Sequence, residues 1–245
     1  MPSPHEFELQ STELYTALSK AYEERAFLGV SKLVYSVEPT MANVEIVSLW
    51  LRDAYVLQPR KNPRFGLLYA DTLQMMARAH KSKDEAGYRG LMETGVVAFY
   101  SSQLIAWEDL ARCADRTAGL LYRQNWAGEV GSIYSGYFRS LDGEKQQELL
   151  RTVRSIAANR DVSEPDRSAC ASGIGAMRRA LEAGRCDSFD PLEDVPIPRL
   201  PHVDELAKEY RCDGAEFVTL IPDEEWRTRR EEVRQAFHQR MLEAE

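Results

Sequence analysis

Val44-Glu45-Ile46-Val47-Ser48-Leu49-Trp50-Leu51-Arg52-Asp53-Ala54-Tyr55 is the stretch whose reading decides the fold class. Val44, Val47, Leu51, Ala54 and Tyr55 recur at three- and four-residue intervals, so a helix gathers them into one stripe, which Ile46 and Trp50 widen. A strand would scatter the same residues over both faces. The spacing predicts a helix from Val44 to Leu57 with Asn43 at its cap.

The same period extends outward in both directions. Upstream, Leu14, Leu18, Ala21 and Tyr22 predict a helix that begins at Ser11 or Thr12, with Gly29 as a weak point and Pro39 as a stop. Downstream, Pro59 to Pro63 reads as a turn, Phe65 to His80 as a helix and Lys81 to Glu85 as a polar connector. Tyr88 to Trp126 reads as two helices divided near Tyr100-Ser101-Ser102. Further helices are expected at Ile133 to Leu141 and, capped by Asp142, at Gly143 to Asn159. Ser163-Glu164-Pro165-Asp166 opens another, with Ser163 as cap and Pro165 in the first turn, and Gly184 supplies its left-handed stop.

Composition then changes. Pro191, Pro196, Pro198 and Pro201 predict an extended segment, followed by a short helix at Val203 to Tyr210. Phe217 to Ile221 is the one strand-like run, expected to pack as an extended segment or to pair with a partner, and Asp223 caps a final helix. The expected fold is all-α: a multi-helix bundle or irregular α-solenoid over residues 1–185, a Pro-rich linker over 186–201, and an appendage over 202–245 ending in an amphipathic helix.

Composition also limits function. With 44% hydrophobic and 29% charged residues the chain is globular, and its net charge of -8 disfavours nonspecific contact with nucleic acid or anionic lipid. Any nucleic-acid contact would have to come from a local cluster of arginines. Arginine outnumbers lysine, 24 to 7, which suggests a GC-rich coding sequence of a bacterium or its phage and says nothing about activity. Cys113, Cys170, Cys186 and Cys212 form no CxxC pair, and the Arg-Cys-Asp triplet at 185–187 and 211–213 reads as coincidence. Scattered thiols suit a reducing compartment. With no apolar run of roughly 18 residues and no signal-like start at Met1 to Glu6, the expected location is cytoplasmic, away from membranes.

Templates for chemistry find little to match. His5, His80, His202 and His238 stand far apart, and there is no phosphate-binding loop, nucleophile elbow or Ser-x-x-Lys pattern. No metal or cofactor is expected, and the reading leans against an enzyme. Gly173-Ile174-Gly175 follows no strand, so it reads as a close approach of helices rather than a dinucleotide loop. Glu108, Arg112 and Arg116, with Asp109 and Asp115 beside them, read as a solvated face of i,i+4 pairs. Tyr122, Trp126, Tyr134, Tyr137 and Phe138, near Arg123 and Arg139, read as core aromatics in preference to a base-stacking platform.

The C-terminal helix supplies the partner-binding candidates: Trp226, Val233, Phe237 and Met241 on one face, with Arg230 beside them. A proline-rich arm would hold this helix away from the body, which tips the expectation toward docking on another chain. The functional expectation is a non-catalytic helical interaction protein, an adaptor, regulator or subunit of a larger assembly, that binds another protein chain or itself. The competing readings are an accessory subunit of a nucleic-acid-processing complex and a helical enzyme whose pocket uses dispersed Tyr, Glu and Arg.

Overall fold

The computed structural model describes residues 3–58, 62–118, 128–160, 167–171, 173–189, 209–212 and 215–243. Within them the protein is all-α, with one short strand pair. It divides into two compact units that interleave along the sequence. Unit 1 is Met1–Ala106, Gln124–Glu164 and Val233–Glu245; unit 2 is Trp107–Arg123 and Pro165–Glu232. The expected sequential division at 185 and 201 does not follow this packing.

Unit 1 begins with α1 (Pro4–Gln10), which the hydrophobic spacing had not indicated, and α2 (Glu13–Ser36). The Thr12 hydroxyl caps α2 by accepting from Tyr15 N–H. The helix runs unbroken through Gly29, because the fully buried Val30 beside it outweighs glycine's weak propensity. α3 (Met41–Arg52) starts earlier than the spacing suggested, since its cap is Thr40, whose hydroxyl accepts from Asn43 N–H at 3.3 Å. A π-helical turn, Asp53–Leu57, follows and brings Tyr55 into the core. The stripe behaves as its period requires: Val44, Val47, Leu51 and Tyr55 are buried and Ala54 is half-buried.

α4 (Pro63–His80) is capped by Asn62 and packs on α3 and α2 through rings, with Trp50 of α3 and Tyr22 of α2 standing edge-on to Phe65 at 5.7 and 5.6 Å. Gly66 permits that closeness; a Cβ there would sit 2.5 Å from the Tyr55 ring. α5 (Glu85–Leu110) passes straight through the expected break at 100–102. The Ser101 hydroxyl donates to Val97 O at 2.6 Å, so this serine is satisfied inside the helix and does not end it. α6 (Glu129–Ser140) and α7 (Gly143–Ala158) complete the unit with the last part of the C-terminal helix. Asp142 caps α7 through Lys145 N–H at 2.8 Å, as the sequence indicated. A polar lock ties the N-terminus to the π turn: Asp53 accepts from Tyr15 Oη at 2.9 Å and Gln10 Nε2 at 3.0 Å and pairs with Arg52, which also meets Glu6.

Unit 2 overturns the reading of the cysteines as separate thiols. Cys113 and Cys170 are joined by a disulfide, with Cα atoms 5.4 Å apart. Around it lies a core of Ala118, Ala176 and Val218, flanked by Leu110, Ala171 and Leu220. Such small side chains remove little apolar area from water, so the covalent link supplies constraint that packing does not. The helix expected from Ser163 to Gly184 is two pieces, α8 (Ser168–Ala171) and α9 (Ile174–Glu182); Ser163, Pro165 and Asp166 lie outside the described residues. Gly184 is the left-handed stop, at φ +67.

After a 3₁₀ turn at Ala215–Phe217, the chain runs extended against 112–114: Ala114 N–H donates to Thr219 O and Ile221 N–H to Arg112 O, each at 3.0 Å. The strand-like run therefore packs as an extended segment. The paired strands lie elsewhere. β1 (Cys186–Phe189) and β2 (Glu209–Cys212) are antiparallel with Cys186 opposite Cys212, and Tyr210, expected in a helix, belongs to β2. Cys186 is disulfide-bonded as well. Pro191 to Pro201 and Val203 lie outside the described residues.

The Cys113–Cys170 bond spans 57 residues, and chain-entropy reasoning values such a closure at about 4 kcal/mol. Replacing both cysteines by serine should lower the stability of the oxidised chain by roughly that amount. Denaturant unfolding with and without reductant checks it: the wild type should lose midpoint on reduction, and the double variant should lose less.

Candidate functional site

The final helix, α10 (Asp223–Glu243), carries all five partner-binding candidates. Asp223, Glu224 and Glu225 occupy its first turn, where negative charge offsets the positive helix end. Residues 223–232 belong to unit 2 and 233–243 to unit 1.

In unit 2, Trp226 is 4% exposed, and its indole N–H donates to Glu108 O at 3.1 Å. The Arg112 and Arg230 guanidiniums lie 4.4 and 5.2 Å from its ring centroid. Arg230 Nε donates to Glu108 Oε2 at 2.8 Å, and the Glu108 side chain is fully buried. Arg112 Nη2 donates to Asp223 Oδ1 at 2.7 Å. The solvated face expected of Glu108 and Arg112 is thus a buried anchor whose partners come from more than a hundred residues away; Arg116 alone of that set is exposed. A buried carboxylate needs a partner, and Arg230 of the same chain supplies one. Trp226 and Arg230 are consumed in holding α10.

In unit 1, Phe237 is 2% exposed and stands edge-on to Tyr100 at 6.2 Å. Val233 is half-buried. His238 Nδ1 meets Arg154, and burial followed by the Arg154 charge lowers its pKa, so the ring stays neutral and accepts the guanidinium N–H. Phe237, like Trp226, is buried against its own unit. Met241, half-buried, lines an open cleft of about 280 Å³. Phe99, Tyr100 and Gln103 of α5, residues Gly131, Ser132, Ser135, Phe138 and Arg139 of α6, and Arg240 complete its walls. Burial pushes the Tyr100 hydroxyl pKa up to about 12 against the opposing Arg139 charge. Of the expected aromatic cluster, Tyr134 and Phe138 are core residues and Tyr137 is half-buried against Tyr88; Tyr122, Arg123 and Trp126 lie outside the described residues.

Unit 2 also carries a surface that the sequence reading missed. Helix α9 is packed inside out: Ala176 and Ala180 are buried, while Ile174 and Leu181, seven residues apart on the opposite face, are 62% and 55% exposed. Its N-terminus is held from a distance. Asp115 Oδ2 accepts Gly175 N–H at 2.7 Å, and Asp115 Oδ1 accepts from Thr117, whose hydroxyl oxygen accepts Ile174 N–H at 2.8 Å. A Cβ on Gly173 would lie 2.7 Å from that carboxylate, so the two glycines make room for Asp115 and not for another helix. The Thr117 hydroxyl, helped by the Thr117 and Gly175 amides and by Arg179, holds the Asp115 pKa below the usual carboxylate range.

Among the described residues, no group of His, Cys, Asp or Glu is placed to hold a metal ion, and no helix is long and apolar enough to cross a membrane. No family model, curated protein or solved structure matches this chain.

Two outcomes test this geometry. Glu108→Gln leaves the Arg230 charge without its counter-ion and should cost about 3 to 5 kcal/mol, read as a denaturant midpoint. Asp115 has a depressed folded pKa, so its contribution is present above the unfolded value of about 3.9 and is lost as pH falls through the folded value. Asp115→Asn should therefore cost on the order of 1 kcal/mol at neutral pH, and its deficit should shrink on acidification.

Proposed function

We propose that this protein is a non-catalytic interaction protein, and that the outer face of α9 is the element it presents to another protein chain. The exposed pair Ile174 and Leu181 carries the proposal. A two-turn helix with large aliphatics outward and alanines inward inverts the usual economy of burial, and exposed apolar groups on a fixed element mark contact sites. Ile174, Met177 and Leu181 follow the i, i+3, i+7 spacing by which a helix enters an apolar groove. The supports behind the helix, Asp115 and the disulfide core, hold it rigid before binding, which lowers the entropic cost of association.

The cysteine argument for a cytoplasmic location falls with the Cys113–Cys170 bond. The proposal places the chain in an oxidising compartment, where such a bond persists.

Ile174→Ser combined with Leu181→Ser tests the reading, because both side chains are exposed and the fold should not depend on them. The double variant should melt like the wild type while losing the chain that co-purifies with the wild type from its native host. A variant that keeps every partner of the wild type contradicts the proposal.

A further inference from the structure

Between Ile174 and Leu181 on the outer face of α9 stands a guanidinium. Ala176 and Ala180 define the buried side of the helix, and Arg178 lies two residues from each of them. At about 100° per residue, two steps carry a side chain to the far side, so Arg178 occupies the middle of the outward face. Ile174 precedes it by four residues and Leu181 follows it by three, the spacings of neighbours on a helix surface. The Arg178 side chain is 77% exposed. Its Nε donates to Glu182 Oε1 at 2.8 Å, and among the described residues its two terminal nitrogens meet no acceptor. A second exposed cation, Arg116, belongs to the segment that braces the start of the helix, between Asp115 and Thr117. Arg179 and Arg185 are instead turned onto the unit itself, to Phe217 O and to Glu216.

A surface that covers Ile174 and Leu181 must also cover Arg178. The Glu182 carboxylate does not remove that constraint, because it takes only Nε and an exposed i,i+4 pair holds weakly. A guanidinium taken out of water needs acceptors for its whole fork, and a carboxylate matches the fork best. Resting on the reading of α9 as the presented face, we infer that the groove receiving it belongs to a different protein chain and carries an Asp or Glu on its wall, placed to take the terminal nitrogens of Arg178. The aliphatic pair supplies the apolar contact, and the charge selects the partner, since a groove without the carboxylate leaves the guanidinium stranded. A second copy of this chain does not meet the requirement. A two-fold contact that sets Ile174 of one copy against Leu181 of the other brings both Arg178 side chains together at the axis, like charge against like.

The probe is a water-soluble carbodiimide, which joins an amine to a carboxylate only where the two touch. In the full-length oxidised chain, Arg178→Lys puts an amine at the middle of the face, and Glu182→Gln removes the carboxylate within its reach on the same helix. In extract of the native host, this double variant should cross-link through position 178 to an Asp or Glu of another chain, read by mass spectrometry of the linked peptides. Adding Ile174→Ser and Leu181→Ser should abolish the link. Without cross-linker, Arg178→Glu should melt like the wild type yet retain about tenfold less of that same chain, whereas Glu182→Gln alone should retain it. If Arg178→Glu keeps a chain that Ile174→Ser with Leu181→Ser loses, α9 docks but the carboxylate is refuted. The carboxylate is equally refuted if Arg178→Lys with Glu182→Gln still captures the chain and forms no link to it. A link between two copies of this chain refutes the separate partner. If every variant keeps every chain, or the wild type captures none, the docking reading itself falls and takes this inference with it.

Discussion

Unit 2 rests on the bond between Cys113 and Cys170. Among the described residues, the cluster packed around it is Ala118, Ala176 and Val218 with Leu110, Ala171 and Leu220, small side chains to which the covalent link adds constraint. The disulfide fixes α8 to the segment after α5, and that same segment receives the extended strand at 219–221 and, through Asp115, the N-terminus of α9. The buried Glu108–Arg230 pair then fixes the start of α10 within the unit. Each of these contacts joins residues distant in sequence, so each depends on the closure that the disulfide makes less costly.

Unit 1 is built on a different principle. Its aromatic rings interlock around Phe65 and Tyr100, and among its polar groups those at Asp53 tie the N-terminal helix to the π turn. The two principles suit two kinds of surface. A core of interlocked aromatics leaves a cleft with rigid walls, whereas a unit of small residues braced by a covalent bond can turn its larger aliphatics outward.

Local signals in the sequence were legible wherever the determining partner lay within one helical turn. Asp142, Thr12 and Gly184 act on their own helix, and the Val44 to Tyr55 stripe needs only the helical period. Ser101 misled because a serine pair resembles a boundary until its hydroxyl is seen to bond back to Val97. The rest was illegible for a physical reason. Cysteine connectivity over 57 residues, the pairing of two four-residue strands with no apolar run, and the burial of Glu108 by a helix 122 residues later are all tertiary facts. The five candidates on α10 came from a helical stripe, and a stripe does not say which surface covers it. Here the chain covers Trp226 and Phe237 itself.

The central claim is that the disulfide holds α9 in a presentable form independently of unit 1. Hydrogen exchange of the backbone amides, compared between oxidised and reduced full-length chain, tests it most directly. Reduction should strip protection from Ile174 to Glu182 and from the amides of Ala114 and Ile221, while α3, α4 and α7 keep theirs. If α9 remains as protected after reduction as before, or if unit 1 loses protection in step with it, the account is contradicted.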